Sequence, residues 1–302
     1  MNQAFVLQAE GLTKKIGDRT IVDDVSLSLR PREIFGFLGP NGAGKTTTIR
    51  MLVGLIRPTE GTVLIGGHDL RREPEVALRK VGCIVESPDL YRFMTGRENL
   101  QHFARMIGEL EEEEIDRVST IVGLHHRLDE KVKTYSLGMR QRLGIAQALL
   151  GSPQLLILDE PANGLDPAGI REMRALLRRL AHEEGLGILV SSHLLAEIEL
   201  MCDRVAIIHR GRIISSGPVN ELLARDVWTI ETGDPARAAD LLRQRGMNIV
   251  ESNGHFELAG AREVVARAVE ALVAAEIDVY GIEPRKRSLE DRFLDETRGE
   301  SV

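Results

Sequence analysis

Eight consecutive residues restrict this chain more than any other part of it. Gly39-Pro40-Asn41-Gly42-Ala43-Gly44-Lys45-Thr46 satisfies G-x-x-x-x-G-K-[ST] at every fixed position. The apolar run Ile34 to Leu38 before it reads as a strand, and the pattern from Thr46 to Leu55 after it as a helix. In that context the glycines let the backbone curl into a nest of N–H groups facing phosphate oxygens at a helix's positive end. Lys45 would bring a point charge to the β- and γ-phosphates, and the Thr46 hydroxyl, beside Thr47, would ligate Mg2+. The expectation is a nucleoside-triphosphate site built on residues 39 to 47.

A triphosphate needs a second anchor for its magnesium. Leu155-Leu156-Ile157-Leu158 has the pattern of a buried strand, and Asp159-Glu160 sits at its C-terminal end, where α/β sheets place their ligands. Asp159 is expected to hold Mg2+ through water. Glu160 is then placed to polarise the attacking water as general base.

The rest of the chain supplies a frame for these groups. At 302 residues it is about twice an ordinary domain of ~150. Strands are expected at Phe5 to Ala9, Thr20 to Leu29, Glu33 to Leu38 and Gly61 to Ile65. Helical spacing follows over Asn99 to Ile107, Glu111 to Val122 and Gly138 to Leu150. The acidic run Glu111 to Glu114 reads as a solvated helix start, where carboxylates complement the dipole. Strands return at Gln154 to Leu158, Gly187 to Ser191 and Arg204 to Ile208, with a helix through Ile170 to Leu180 between the first two. This alternation predicts an α/β fold with a parallel sheet covered on both sides. Arg210-Gly211-Arg212 reads as a hairpin turn. Beyond residue 225 a βαββαβ order predicts a small α+β, ferredoxin-like domain. The expected division is 1–224 and 225–302, with a helical subdomain at about 87–150.

Charge and composition exclude other classes. Lys and Arg number 39 against 46 Asp and Glu, a net charge of −7, which argues against a nucleic-acid partner. No apolar run approaches the ~20 residues of a membrane span, and Met1 to Phe5 lacks the features of a secretory signal. Cys83 and Cys202 form no pair motif. A cytoplasmic chain without its own membrane anchor is expected. Trp228 reads as core, and Arg285-Lys286-Arg287 as a solvated turn.

Tyr135-Ser136-Leu137-Gly138-Met139-Arg140-Gln141-Arg142, shortly before the Asp159 strand, resembles the signature loop of ATP-binding-cassette (ABC) ATPases, usually Leu-Ser-Gly-Gly-Gln. Asn163-Gly164-Leu165-Asp166 resembles their D-loop, and Ser191-Ser192-His193 their switch region. The resemblance covers about residues 5 to 222. Within the family, Val81 to Pro88, Thr95 to Leu100, Tyr135 to Met139 and Ser288 to Phe293 look like the bacitracin-resistance and lantibiotic-immunity branch.

The resemblance implies a P-loop NTPase core acting as the ATP-binding subunit of an exporter. ATP and Mg2+ would be held between two head-to-tail copies, a homodimer, on the inner face of the cell membrane against a separately encoded permease. Ser136, Gly138 and Met139 would act on the opposite copy's ATP, Asp166 would lie at the dimer interface, and His193 would contact the γ-phosphate. Four positions depart from the family pattern. Glu86 stands where Gln usually couples magnesium and water to the helical subdomain, although Glu is common in this branch. Ile16 stands where an aromatic stacks on adenine, and Leu137 and Met139 replace a Gly and a Gln. A non-transport, regulatory ABC-type ATPase is the alternative. Repair and translation members usually carry long insertions, zinc ligands or two cassettes, none of which occurs here. The C-terminal domain reads as a dimer-stabilising appendage, with a small-molecule sensor as its alternative.

Overall fold

The computed structural model describes residues 5–108, 111–223, 227–252, 255–285, 288–291 and 293. Met1 to Ala4, Lys286, Arg287 and Arg292 lie outside the described residues. The chain forms two compact units, Met1–Pro218 and Val219–Val302. The division therefore falls a few residues before the boundary expected at 224/225.

The first unit begins with β1 (Leu7–Ile16), β2 (Arg19–Leu29), β3 (Ile34–Leu38), α1 (Lys45–Leu52), β4 (Glu60–Ile65), β5 (His68–Asp69), α2 (Pro74–Leu78) and β6 (Val81–Ile84). It continues with α3 (Gly96–Ile107), α4 (Glu112–Ile121), α5 (Leu137–Leu149), β7 (Leu155–Asp159), α6 (Pro167–His182), β8 (Gly187–Ser192), α7 (Leu195–Glu199), β9 (Arg204–His209) and β10 (Arg212–Pro218). One sheet is antiparallel, in the order β2-β1-β4-β5. The other runs β10-β9-β3-β8-β7-β6 and is parallel from β9 to β6. Only the β9–β10 hairpin at Arg210-Gly211 is antiparallel there, as the turn signal predicts. β3, β7 and β8 are buried at every residue, which explains why their sequences are apolar without alternation. One core joins the two sheets and α1 through Leu7, Val22, Phe35, Ile49, Ile65 and Ile157.

Between β6 and β7 the helices α3, α4 and α5 pack on one another. Thr95 and Glu98 form a reciprocal capping box on α3, worth about 1 kcal/mol. Glu112, Glu113 and Glu114 occupy the first turn of α4, as the acidic run suggests. Arg97 joins α3 to α4 and the following loop through Glu112, Asp116 (3.1 Å) and Asp129 (2.9 Å). The buried Asn99 accepts from Tyr91 N–H at 2.8 Å and donates to the Tyr91 carbonyl at 3.0 Å, fixing the loop before α3.

The second unit contains α8 (Val219–Leu223), β11 (Val227–Thr232), α9 (Pro235–Gln244), β12 (Ile249–Ser252), β13 (His255–Ala259), α10 (Arg262–Ala274) and β14 (Val279–Arg285). Its sheet order is β12-β13-β11-β14, all antiparallel, which is the split arrangement expected from the βαββαβ pattern. Ile230, Phe256 and Leu258 pack with Ala239, Leu242, Ala268 and Leu272 from the two helices. Trp228 packs on this core and donates to the Gly260 carbonyl at 3.0 Å. Arg285 pairs with Glu257 rather than standing as a solvated turn.

Two features escape periodicity. β1 runs to Ile16, well past the expected end at Ala9, because register shifts between Ala9 and Lys15 break its alternation. β6 is short and carries Gly82 and Cys83, so its strand character comes from pairing with β7 rather than from propensity. A Cβ on Gly82 would lie 1.9 Å from the Ala148 carbonyl oxygen of α5, so only glycine lets helix and strand meet. Gly82→Ala should therefore cost about 2 kcal/mol or more through overpacking, read as a lowered midpoint in urea unfolding. An unchanged midpoint would show that the α5–β6 approach can relax.

Candidate nucleotide-binding site

Three neighbouring strands of the parallel sheet end at the same edge. β3 delivers the loop 39–44 and α1, β7 ends at Asp159, and β8, between them, ends beside His193. The register sets Leu38 opposite Ser192, and Asp159 opposite Ser191, so these groups converge without a long connection. This is the carboxyl edge of an α/β sheet, the usual place for a ligand. A cavity there is lined by Pro40, Gly42, Lys45, Thr46, Glu160 and His193, with Asn41, Gly44, Thr47, Asn163 and Ile21 completing it.

Gly44 is the N-cap of α1 at φ 109°, a backbone conformation that glycine adopts without side-chain strain. Lys45 is only 6% exposed. Its Nζ donates to the Gly39 carbonyl at 2.7 Å and lies 3.4 Å from Glu160 Oε1. Thr46 Oγ1 donates to Asp159 Oδ2 at 3.1 Å, so the loop's hydroxyl and the strand-end carboxylate already face each other. Ser191 Oγ donates to the other Asp159 oxygen and accepts from Glu160 N–H at 3.0 Å.

Glu160 adopts φ 52°, unusual for a residue with a side chain and costing on the order of 1–3 kcal/mol. That conformation turns its carboxylate from the strand toward the cavity. Oε1 faces Lys45, and Oε2 lies 2.6 Å from His193 Nδ1. Behind them, burial pushes the Glu197 carboxyl above its usual range, with the Glu160 charge adding to the rise and His193 opposing it. Ser191 and Asn163, which belong to the switch-like and D-loop-like stretches but are assigned no role of their own by the sequence, and Ile21, which no motif marks, complete the site. The adjacency of Ser191 to His193 at a strand end is the signal available for the first.

Other expected residues lie elsewhere. Ile16 ends β1, is 59% exposed and does not line the cavity, which Ile21 reaches instead. Glu86, at φ 73°, pairs with Arg50 in the last turn of α1, whereas Thr46 and Asp159 bond to each other. Ser136 caps α5 and accepts from Met139 N–H at 3.2 Å. Ser136, Gly138 and Met139 do not line this chain's own nucleotide cavity. Asp166 caps α6, accepting from Gly169 N–H at 2.8 Å.

Comparison with known proteins agrees with this geometry. The ABC transporter family model matches residues 22–163. The uncharacterized ABC transporter ATP-binding protein YhcH of Bacillus subtilis is 50% identical over 294 residues, covering 97% of this chain and 96% of that protein. The bacitracin transport ATP-binding protein BcrA of Bacillus licheniformis is 43% identical, covering 96% of each chain. The lantibiotic transport ATP-binding protein SrtF of Streptococcus pyogenes is 41% identical over 69% of this chain and 89% of its own. Among solved structures, an ATP-binding subunit of an ABC transporter superposes with a TM-score of 0.64 at 34% identity, covering 72% of this chain and 91% of its own. With its phosphate loop, strand-end carboxylates and near full-length relatives, this chain belongs to the ATP-binding proteins of ABC transporters.

Proposed function

We propose that this ATP-binding subunit works as a homodimer, sandwiching two ATP molecules, and drives export through a separate permease at the inner face of the membrane. The observation that carries this reading is the convergence of Lys45, Thr46, Asp159, Glu160 and His193 at three adjacent strand ends. Thr46 and Asp159 offer a hydroxyl and a carboxylate 3.1 Å apart, hard oxygen donors suited to Mg2+. The bound ion would neutralise charge on the phosphates. Lys45 and the amides of residues 39–47 hold the β- and γ-phosphates. Glu160 accepts the proton of the attacking water, and His193 orients Glu160 and meets the γ-phosphate.

Ser136, Gly138 and Met139, lying outside their own chain's cavity, complete the site of the second copy, and Asp166 borders the interface. Glu86, paired here with Arg50, would be a further carboxylate for the magnesium. The names of BcrA and SrtF suggest an antibiotic, peptide or lipid-like cargo. No described helix is long and apolar enough to cross a membrane, consistent with a separate permease. The unit Met1–Pro218 is the ATPase domain, with the helical subdomain at about 87–150, and the unit Val219–Val302 an appendage that steadies the dimer.

Glu160→Gln keeps the shape of the side chain but cannot accept the proton. Hydrolysis should fall by at least about 100-fold, the order general-base catalysis supplies, while ATP holds two subunits together. Size-exclusion chromatography with ATP and Mg2+ should show the dimer. Near-normal turnover would overturn the assignment of the base.

With Ile16 in place of an aromatic, base recognition rests on little. Affinities for ATP and GTP should lie within about tenfold, or ~1.4 kcal/mol, by isothermal titration. A thousandfold preference would show that another side chain reads the base.

The permease contact is placed on the loop before α3. Tyr91 packs edge-on against His102 (5.0 Å) and near Phe93 (5.9 Å), yet Phe93 remains 66% exposed. Tyr91→Ala with Phe93→Ala should abolish permease pull-down and efflux while leaving hydrolysis by the isolated subunit intact. Full efflux by the double variant would place the coupling surface elsewhere.

A further inference from the structure

A second cavity lies at the far end of α1 from the phosphate loop. It begins at Met51 and Gly54, roughly 10 Å beyond Lys45 on a helix that rises ~1.5 Å per residue. Its volume of about 710 Å3 exceeds the 330 Å3 of the nucleotide cavity and falls within the ~300–1,000 Å3 of small-molecule sites. The two cavities share no lining residue.

Hydrogen bonds hold both walls of this cavity. On one side Thr59 N–H donates to the Thr13 carbonyl at 2.7 Å, and Lys14 Nζ to the Arg57 carbonyl at 2.7 Å. On the other, Leu70 N–H donates to the Val63 carbonyl at 2.9 Å, and Asp69 Oδ1 accepts from the N–H groups of Arg71 (2.8 Å) and Arg72 (3.2 Å). The opening is therefore formed before a ligand enters. Its charges are unbalanced. Glu60 pairs with Lys15 at 3.7 Å, and Asp69 is engaged by the two amides and by Arg72 at 3.8 Å. Arg57 and Arg71 line the same cavity with no ion pair or side-chain hydrogen bond among the described residues, in a chain of net charge −7. Ile56, Leu70 and Leu78 line it too, and Leu78 is 38% exposed.

We propose that this cavity binds a phosphate-bearing amphiphile, its head held by Arg57 and Arg71 and its apolar part laid on Ile56 and Leu78. A guanidinium meets a phosphate through two parallel N–H···O bonds, the geometry for which arginine is suited. The apolar side chains gain nothing from a bare ion and are covered only by a ligand that carries hydrocarbon. That chemistry is shared by a phospholipid of the bilayer and by a soluble phosphate ester. The inference needs neither the dimer nor the permease.

The test uses the full-length subunit, saturated with ADP and Mg2+ so that the nucleotide site is filled. Calorimetric titration compares dihexanoyl phosphatidic acid, a soluble short-chain lipid, with inorganic phosphate. The lipid should bind, and its affinity should fall as NaCl is raised. Arg57→Gln and Arg71→Gln should each weaken it at least about tenfold, the loss expected when a charged hydrogen bond is removed. Leu78→Ser should weaken the lipid severalfold. Each variant should keep its affinity for ADP and its midpoint in urea, which separates loss of the site from loss of the fold.

Flotation with phosphatidylcholine vesicles, with and without phosphatidylglycerol, distinguishes the two sources. Flotation that needs both phosphatidylglycerol and the two arginines assigns the site to bilayer lipid. Binding of the soluble lipid without such flotation assigns it to a free phosphate ester. The proposal is overturned if lipid binds in neither arm, or if binding ignores the arginine substitutions. It is equally overturned if inorganic phosphate binds as tightly as the lipid, because the apolar lining then contributes nothing.

Discussion

The carboxylate of Asp159 is 3% exposed, and both its oxygens are taken by hydroxyls, Thr46 on one side and Ser191 on the other. A buried charge must be hydrogen-bonded to be tolerated, and bonds to charged groups contribute about 1.5–3 kcal/mol each. This junction ties the ends of β7 and β8 to the first turn of α1. The same Ser191 oxygen receives Glu160 N–H, which holds Glu160 in its unfavourable φ and aims its carboxylate into the cavity. Lys45 and His193 then meet that carboxylate. Remove Asp159 and each later contact loses its reference point. The site is thus a consequence of how three strand ends are stitched, and the fully apolar strands exist to bring those ends together.

A second line of contacts joins the phosphate loop to the helical segment. Arg50, one turn beyond Thr46 on α1, pairs with Glu86 just after β6. Two residues on, Pro88 lies under α5, where a Cβ on Gly144 would come within 2.5 Å of its ring. Gly82 brings the same helix onto β6. The helix bearing Ser136 therefore rests on the segment that carries Glu86, through backbone and ring contacts too close to slide freely. An exposed ion pair such as Arg50–Glu86 contributes little stability, about 0–1 kcal/mol, and can be exchanged at small cost. Cheap exchange would suit the change of partner proposed for Glu86 when nucleotide arrives.

How much of this was legible in the sequence follows from which residues interact locally. The loop 39–46 acts through its own backbone amides, so its spacing alone reveals it. Asp159-Glu160 is also readable, because a four-residue apolar strand leaves its end in only one environment. The βαββαβ order survives as a split sheet because each strand keeps its own pattern. By contrast, Ser191 takes its role from register across β7 and β8, which no single segment records. Asn99 looks like an ordinary polar helix residue until it satisfies the backbone of Tyr91. β6 hides its strand behind a glycine required by another element, and Ile21, which no motif marks, lines the cavity.

Lys45 shows why the arrangement suits a cycle rather than a fixed complex. Within one chain its charge is shared between the Gly39 carbonyl and the Glu160 carboxylate. A triphosphate brings more negative charge to the same ammonium than one carboxylate can, so on the proposed reading it draws Lys45 away from Glu160. Glu160 is not released into solvent, because His193 still holds its other oxygen at 2.6 Å. It is left with one free oxygen, oriented from behind and facing the cavity, which is the condition a general base requires. On the same reading, loss of the γ-phosphate would return Lys45 to Glu160 and withdraw the base. Substrate binding and activation of the base would thus become one event, set by a competition for a single buried ammonium.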